Sequence, residues 1–188
     1  MNLIHETSEI LIKPMPAFDF NNPVVPPHEL VEEMQKLRKE NGGVGLAAPQ
    51  LGVETRALVI GAGNFESEGT EDFNKAFFNP SIKYLEGEES YMIEGCLTFP
   101  GLFIKIKRPD VASINYYDQD GVNFEEVFTG MTSRILQHEI DHLDGILFTS
   151  RANRIHLEKA KKDRKLSERR RKKMNGMGRQ TLRYTLSL

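Results

Sequence analysis

The chain has 188 residues, 39% of them hydrophobic, which is enough for one compact domain with a sizeable core. No apolar run is long enough to span a bilayer, and the acidic, Arg-free N-terminal segment is unlike a signal or transit peptide, so neither a membrane span nor a targeting leader is expected. A single Cys excludes an intramolecular disulfide and, with these features, points to a reducing, cytoplasmic compartment.

Pro26-Pro27 precedes a helix over 29–41, in which Leu30, Met34 and Leu37 recur at i, i+4 and i+7 and which Gly42-Gly43 stops. Small residues and glycines follow through Ala47-Ala48-Pro49, a composition that suits a tight loop with closely approaching backbone, and the amide of Gln50 stands out at its end. Short β-rich runs are expected at 56–60, 76–78, 82–85, 102–107, 111–117 and 122–128, the last two joined by the turn Asp118-Gln119-Asp120-Gly121. The stretch 61–74, rich in Gly, Glu, Ser and Asn, reads as a mobile loop. A second helix is expected over 132–143, with Ile135, Leu136, Ile140 and Leu143 at apolar positions and Gly145 beyond its end. The pattern predicts a single α+β domain, with antiparallel β-sheets around a central metal-binding helix.

That helix carries His138-Glu139-Ile140-Asp141-His142, which fits H-E-x-x-H. Positions four apart share a helix face, so both imidazoles can reach one metal ion with the glutamate beside it. A His pair at this spacing is also an ordinary solvated or packed face, and a third ligand distinguishes the two. The longer pattern with a third His holds through Gly145 but has Phe148 where that His belongs. Glu158 and Glu168 lie in a run of Lys and Arg that reads as solvated. Cys96, in Glu94-Gly95-Cys96-Leu97-Thr98, could be a small buried hydrophobe, but a thiolate with two imidazoles suits a first-row divalent metal and leaves a fourth position open for water.

Gly43-Val44-Gly45-Leu46-Ala47-Ala48-Pro49-Gln50, Glu94-Gly95-Cys96-Leu97 and Gln137-His138-Glu139-Ile140-Asp141-His142-Leu143 together resemble the three signature motifs of peptide deformylases, in the family's order and with family-like separations. The resemblance implies a metal-dependent hydrolase that removes the N-formyl group from the initiator methionine of nascent polypeptides and releases formate. It implies Cys96, His138 and His142 as ligands of one divalent metal, Fe2+ natively, with Zn2+, Ni2+ or Co2+ as substitutes. It casts Glu139 as the general acid/base, and Gln50 and the backbone N–H of Leu97 as donors to the oxyanion. By the same motif alignment Val44, Gly45, Met92, Met131, Arg134 and Ile135 line an apolar pocket for the methionine side chain. Sequence alone could equally leave Glu94 and Arg108 as unrelated surface charges, and the resemblance implies that they brace the ligands. Thr98 stands where the family usually has Ser, preserving a hydroxyl, and residues 9–16 only loosely resemble the family's opening strand.

Charge divides the chain more sharply than its net value. Residues 151–188 hold 14 Lys and Arg against 3 Asp and Glu, a balance of +11, so the first 150 residues carry −13 of the total of −2. The expected organisation is a catalytic domain over 1–150 and a basic C-terminal tail over 151–188, helical or partly disordered. The tail is either a solvated extension or an arm for the ribosome or rRNA. Two other functions compete: a metallopeptidase, which needs a third ligand other than Cys96, and an RNA-binding protein with a structural metal.

Overall fold

The computed structural model describes residues 1–61 and 74–184. Pro27 opens helix α1 (Pro27–Glu40) at a position where its missing N–H costs nothing, and Leu30 and Met34 are buried along one face. The first motif begins as a short strand, β1 (Gly45–Ala47), and closes in a 3-10 turn over Ala48–Leu51, where a loop was expected. Strands β2 (Ala57–Gly61), β3 (Asn74–Gly95), β4 (Phe103–Tyr117) and β5 (Asn123–Thr129) follow, and all five form one antiparallel sheet in sequential order. The expected loop over 61–74 falls almost wholly outside the described residues.

Two pairs of expected strands are each one long strand. The runs at 76–78 and 82–85 belong to β3, and those at 102–107, from Phe103 on, and 111–117 belong to β4. The interruptions that suggested breaks are absorbed locally. Asn79, at φ 49°, and Pro80 lie in a register shift between Phe78 and Ser81, and Pro109 lies where β4 has β3 as its only neighbour, before β5 joins at Val111. Beyond that point β3 and β4 continue as a two-stranded arm from Glu89↔Pro109 to Gly95↔Phe103.

Period-2 alternation divides the core. Leu58 and Ile60 of β2, with Phe77, Ala112, Ile114 and Tyr116, meet Leu136, Ile140 and Leu143 of helix α2 (Gly130–Leu143), whereas Ala57 and Val59 face Leu30 and Met34 of α1. A third cluster lies under the arm, where Ile104 and Ile106 pack on Phe148 of helix α3 (Phe148–Arg151) and Ala160 of helix α4 (Arg154–Tyr184).

The expectation of several sheets around one helix that holds the metal site is corrected. Among the described residues there is one sheet, and the candidate ligands lie on separate elements: His138 and His142 on α2, and Cys96 just past the end of β3. Two imidazoles one turn apart leave the rest of an ion's surroundings uncovered, so the helix alone cannot complete the set. The segment expected as a tail is helical through Tyr184, and its first turns dock. Leu157 and Ala160 join the cluster under the arm, His156 Nδ1 lies 3.0 Å from the Lys105 carbonyl oxygen, and Arg164 pairs with Glu6 at 2.9 Å. From Lys165 to Met174 the helix is exposed.

Candidate active site

Helix α2 points His138 and His142 at the turn that leaves the arm. That turn is closed by the Phe99 N–H donating to the Cys96 carbonyl at 2.9 Å, which holds the thiol over the helix. Cys96 Sγ lies 3.2 Å from His142 Nε2, the two imidazole centroids are 5.2 Å apart, and the three donor atoms all fall within 4.8 Å of one another. Burial alone pushes the Cys96 thiol up and His138 down, but in each case the neighbouring groups outweigh it. The thiol is held well below its ordinary value by His142 and His138, and His138 is raised to about 10 by Cys96 and Glu94. Positive charge beside the sulfur favours the thiolate, and a divalent cation would supply it in full. A sulfur and two nitrogens in a buried cluster therefore fit a divalent metal.

Glu94, at the end of β3, fixes His138 from behind. Its Oε2 accepts from His138 Nδ1 at 3.0 Å, which leaves Nε2 for the site, and from Arg108 Nη2 at 3.1 Å; its Oε1 accepts from Arg108 Nε at 2.8 Å and Arg134 Nη1 at 2.9 Å. Burial would raise the Glu94 carboxyl, but the hydrogen bonds from His138 and Arg108 hold it at about 2. Arg108 also donates to Asp141 at 2.8 Å, and Asp141 accepts from Arg151 at 2.5 Å, so the brace runs from the arm through α2 to α3. Glu94 and Arg108 were legible as candidates, but Asp141 and Arg151 were not, and Arg134 was expected only as pocket lining. Two periodicities carry the signal. Arg108 continues the inward row of Ile104 and Ile106 on β4, and Arg134, His138 and Asp141 recur at i, i+4 and i+7 on α2.

Gln50 is buried on the opposite wall. The Ala47 N–H, which can only donate, meets Gln50 Oε1 at 2.7 Å, so the NH2 end faces Cys96 Sγ at 3.4 Å and Thr98 Oγ1 at 3.1 Å. The hydroxyl of Thr98 thus takes part in orienting the amide. Glu139 lies on α2 beside His138, and its carboxylate packs against Gly45, where an added Cβ would stand 2.8 Å from Cγ and Cδ. Glu139 Oε2 is buried without a hydrogen-bond partner among the described residues, and burial lifts its carboxyl to about 7 although His138 and His142 pull the other way. A carboxyl poised near neutrality and open on one oxygen is suited to both taking and giving a proton.

A cleft of about 660 Å³ opens over these groups. Val44, Gly45, Met131, Arg134 and Ile135 line it, as do Gln50, Cys96, Leu97, His138 and Glu139; Met92 is not among the lining residues, and its neighbour Ile93 is.

Residues 6–158 match the family model described as polypeptide deformylase. The chain belongs to that family. Deformylases align along most of its length. The peptide deformylase of Cytophaga hutchinsonii is 42% identical over 120 residues, 64% of this chain and 62% of that protein, and that of Zymomonas mobilis is 39% identical over 145 residues, 74% of this chain and 81% of that protein. The crystal structure of a peptide deformylase from Synechococcus elongatus in complex with actinonin superposes with a TM-score of 0.76 at 30% identity, covering 85% of this chain and 84% of that one. The Plasmodium falciparum deformylase gives 0.75 at 32% identity, covering 91% and 97%. With the metal-binding triad in place, this deformylase is a metal-dependent hydrolase acting on the N-formyl group of initiator methionine. No helix among the described residues is long and apolar enough to cross a membrane.

Proposed function

We propose that Cys96, His138 and His142 hold the metal for this hydrolysis, that Glu139 is its general acid/base, and that Gln50 and the backbone N–H of Leu97 stabilise the developing oxyanion. The observation that carries the reading is the unpartnered Glu139 oxygen, buried beside the triad at the floor of an open cleft. A divalent ion held by the triad supplies Lewis acidity and makes water nucleophilic near neutral pH. Glu139 takes the proton of the attacking water and returns one to the leaving amine, which its near-neutral carboxyl favours. The Gln50 NH2, locked by Ala47, donates to the formyl oxygen as negative charge builds there, and the Leu97 N–H donates from the other side. Val44, Met131 and Ile135 form the apolar wall for the methionine side chain, and Glu94 with Arg108 keeps His138 aimed.

The softness of a thiolate with two imidazoles accommodates Fe2+, Zn2+, Ni2+ or Co2+, and we take Fe2+ as the native ion, as in the family this chain resembles. The exposed basic stretch of α4 serves as an arm for the ribosome or rRNA, and the protein works in the cytoplasm. The catalytic unit spans the first 150 residues together with the docked turns of α3 and α4. The decisive experiment incubates the metal-loaded protein, prepared anaerobically, with a formyl-Met peptide and its acetyl counterpart and measures formate, acetate and free amine. Formate from the first and nothing from the second is expected. Internal peptide-bond cleavage instead would make the protein a metallopeptidase, and equal turnover with Zn2+ and Fe2+ would remove the case for iron.

A further inference from the structure

Among the described residues Arg38 is the largest side chain that is wholly buried, and its cation has no carboxylate partner among them. Its Nε donates to Gln35 Oε1 at 2.7 Å, its Nη1 to the Gly43 carbonyl at 2.8 Å and its Nη2 to Asn74 Oδ1 at 2.9 Å. The fork joins three elements: α1, the first residues of the cleft wall, and the start of β3. Gly43 is held from both ends, because its N–H also donates to the Arg38 carbonyl at 2.8 Å. The next carbonyl, Val44, accepts from the Gly61 N–H at 2.9 Å, and a Cβ on Gly61 would collide with the Arg38 guanidinium, so the same cation fits against the strand that pins Val44. Across the cleft the tolerance is small. A Cβ on Gly43 would meet the Leu97 side chain at 2.6 Å.

From this geometry we infer that Arg38 is a positioning residue for substrate binding: its guanidinium sets the distance between the Gly43–Val44 backbone and Leu97, and so the width of the cleft where the formylated peptide enters. The inference rests on the cleft being the peptide site. The planar fork of Arg38 fixes three acceptors, Gln35 Oε1, the Gly43 carbonyl and Asn74 Oδ1, in one plane. The reacting groups are on α2 and the turn after β3, and the Gln50 amide, though downstream of Val44, is fixed through Ala47, which is held independently by its pairing with Leu58. Losing Arg38 therefore loosens the entrance and leaves the chemistry.

The test compares Arg38→Met and Arg38→Lys with Met34→Ala, which also removes a wholly buried side chain of α1 but one that faces β2. Each metal-loaded protein is assayed on a formyl-Met tripeptide for kcat and KM, and amide hydrogen exchange is followed at Gly43 and Gly61. For Arg38→Met, KM should rise on the order of tenfold with kcat within about threefold and metal content unchanged, because an interaction common to ground and transition states has been removed. Exchange at Gly43 and Gly61 should quicken. Arg38→Lys, with charge but no fork, should fall between, and it carries the test if the Met variant does not fold. An unchanged KM and unchanged exchange in the Arg38 variants, or an equal KM rise in Met34→Ala, overturns the inference. Absence of formate release by the wild type overturns the functional reading instead, and the exchange data still decide whether Arg38 pins Gly43.

Discussion

Glu94→Gln should separate the brace from the ligands it holds. The carboxylate accepts four hydrogen bonds in a site where Glu94, Arg108 and Arg134 are all nearly inaccessible, so an amide there leaves donors without acceptors and removes the charge that two guanidinium groups face. The fall of its carboxyl from 4.5 to about 2 corresponds to about 3 kcal/mol of native-state preference for the charged form. Breaking one side of a buried pair typically costs about 3–5 kcal/mol, so both routes give a similar figure. Because the folded-state value is depressed, this stability is fully present above about pH 4.5 and is lost as pH falls through about 2. Urea denaturation with metal chelated, so that metal linkage does not enter, should show a gap of about 3 kcal/mol between wild type and variant at neutral pH, closing below about pH 4. In metal competition titrations the variant should also bind about 10–100-fold more weakly, since His138 loses the acceptor that sets its tautomer. A gap under about 1 kcal/mol, or one that stays constant as the pH is lowered, would refute the electrostatic reasoning.

Glu139→Gln should retain metal and lose roughly 10²–10⁴-fold or more in kcat, and loss of metal in this variant would show that the carboxylate is a ligand and not the base. Gln50→Ala should lower kcat on the order of 10²-fold, about 3 kcal/mol, with a smaller effect on KM; an effect confined to KM would mean that the amide binds the ground state. Truncation after Asn153 strips Leu157 and Ala160 from the cluster under the arm and should lower the melting temperature, whereas truncation after Glu168 should leave both stability and peptide deformylation unchanged and weaken ribosome binding, most visibly at low salt. Ribosome binding that survives the second truncation, or that ignores salt, would make the exposed part of α4 a solvated extension.

What the sequence by itself determined is the chemistry within single elements. The 3.6-residue period brings His138 and His142 to one face of α2, and the same period placed α1 and its buried Leu30 and Met34, because both depend on residues a few positions apart. Gln50 stood out as an amide ending an otherwise small and apolar stretch, and Cys96 as the soft donor that two imidazoles lacked. Resemblance to a family joined them, which local pattern could not do. Tertiary structure alone decided how residues far apart in sequence converge. Cys96 meets His142 across 46 positions because the long β3–β4 hairpin carries the thiol back over the helix, and that hairpin looked like four short runs because Asn79-Pro80 and Pro109 interrupt a strand pattern that a bulge and an unpaired edge tolerate. Arg134 was expected only as pocket lining and Asp141 had no assigned role, until the arm covered them and burial demanded that every charge find a partner. Whether a charge sits in water or in a brace depends on what packs over it, and that is fixed only when the chain has folded.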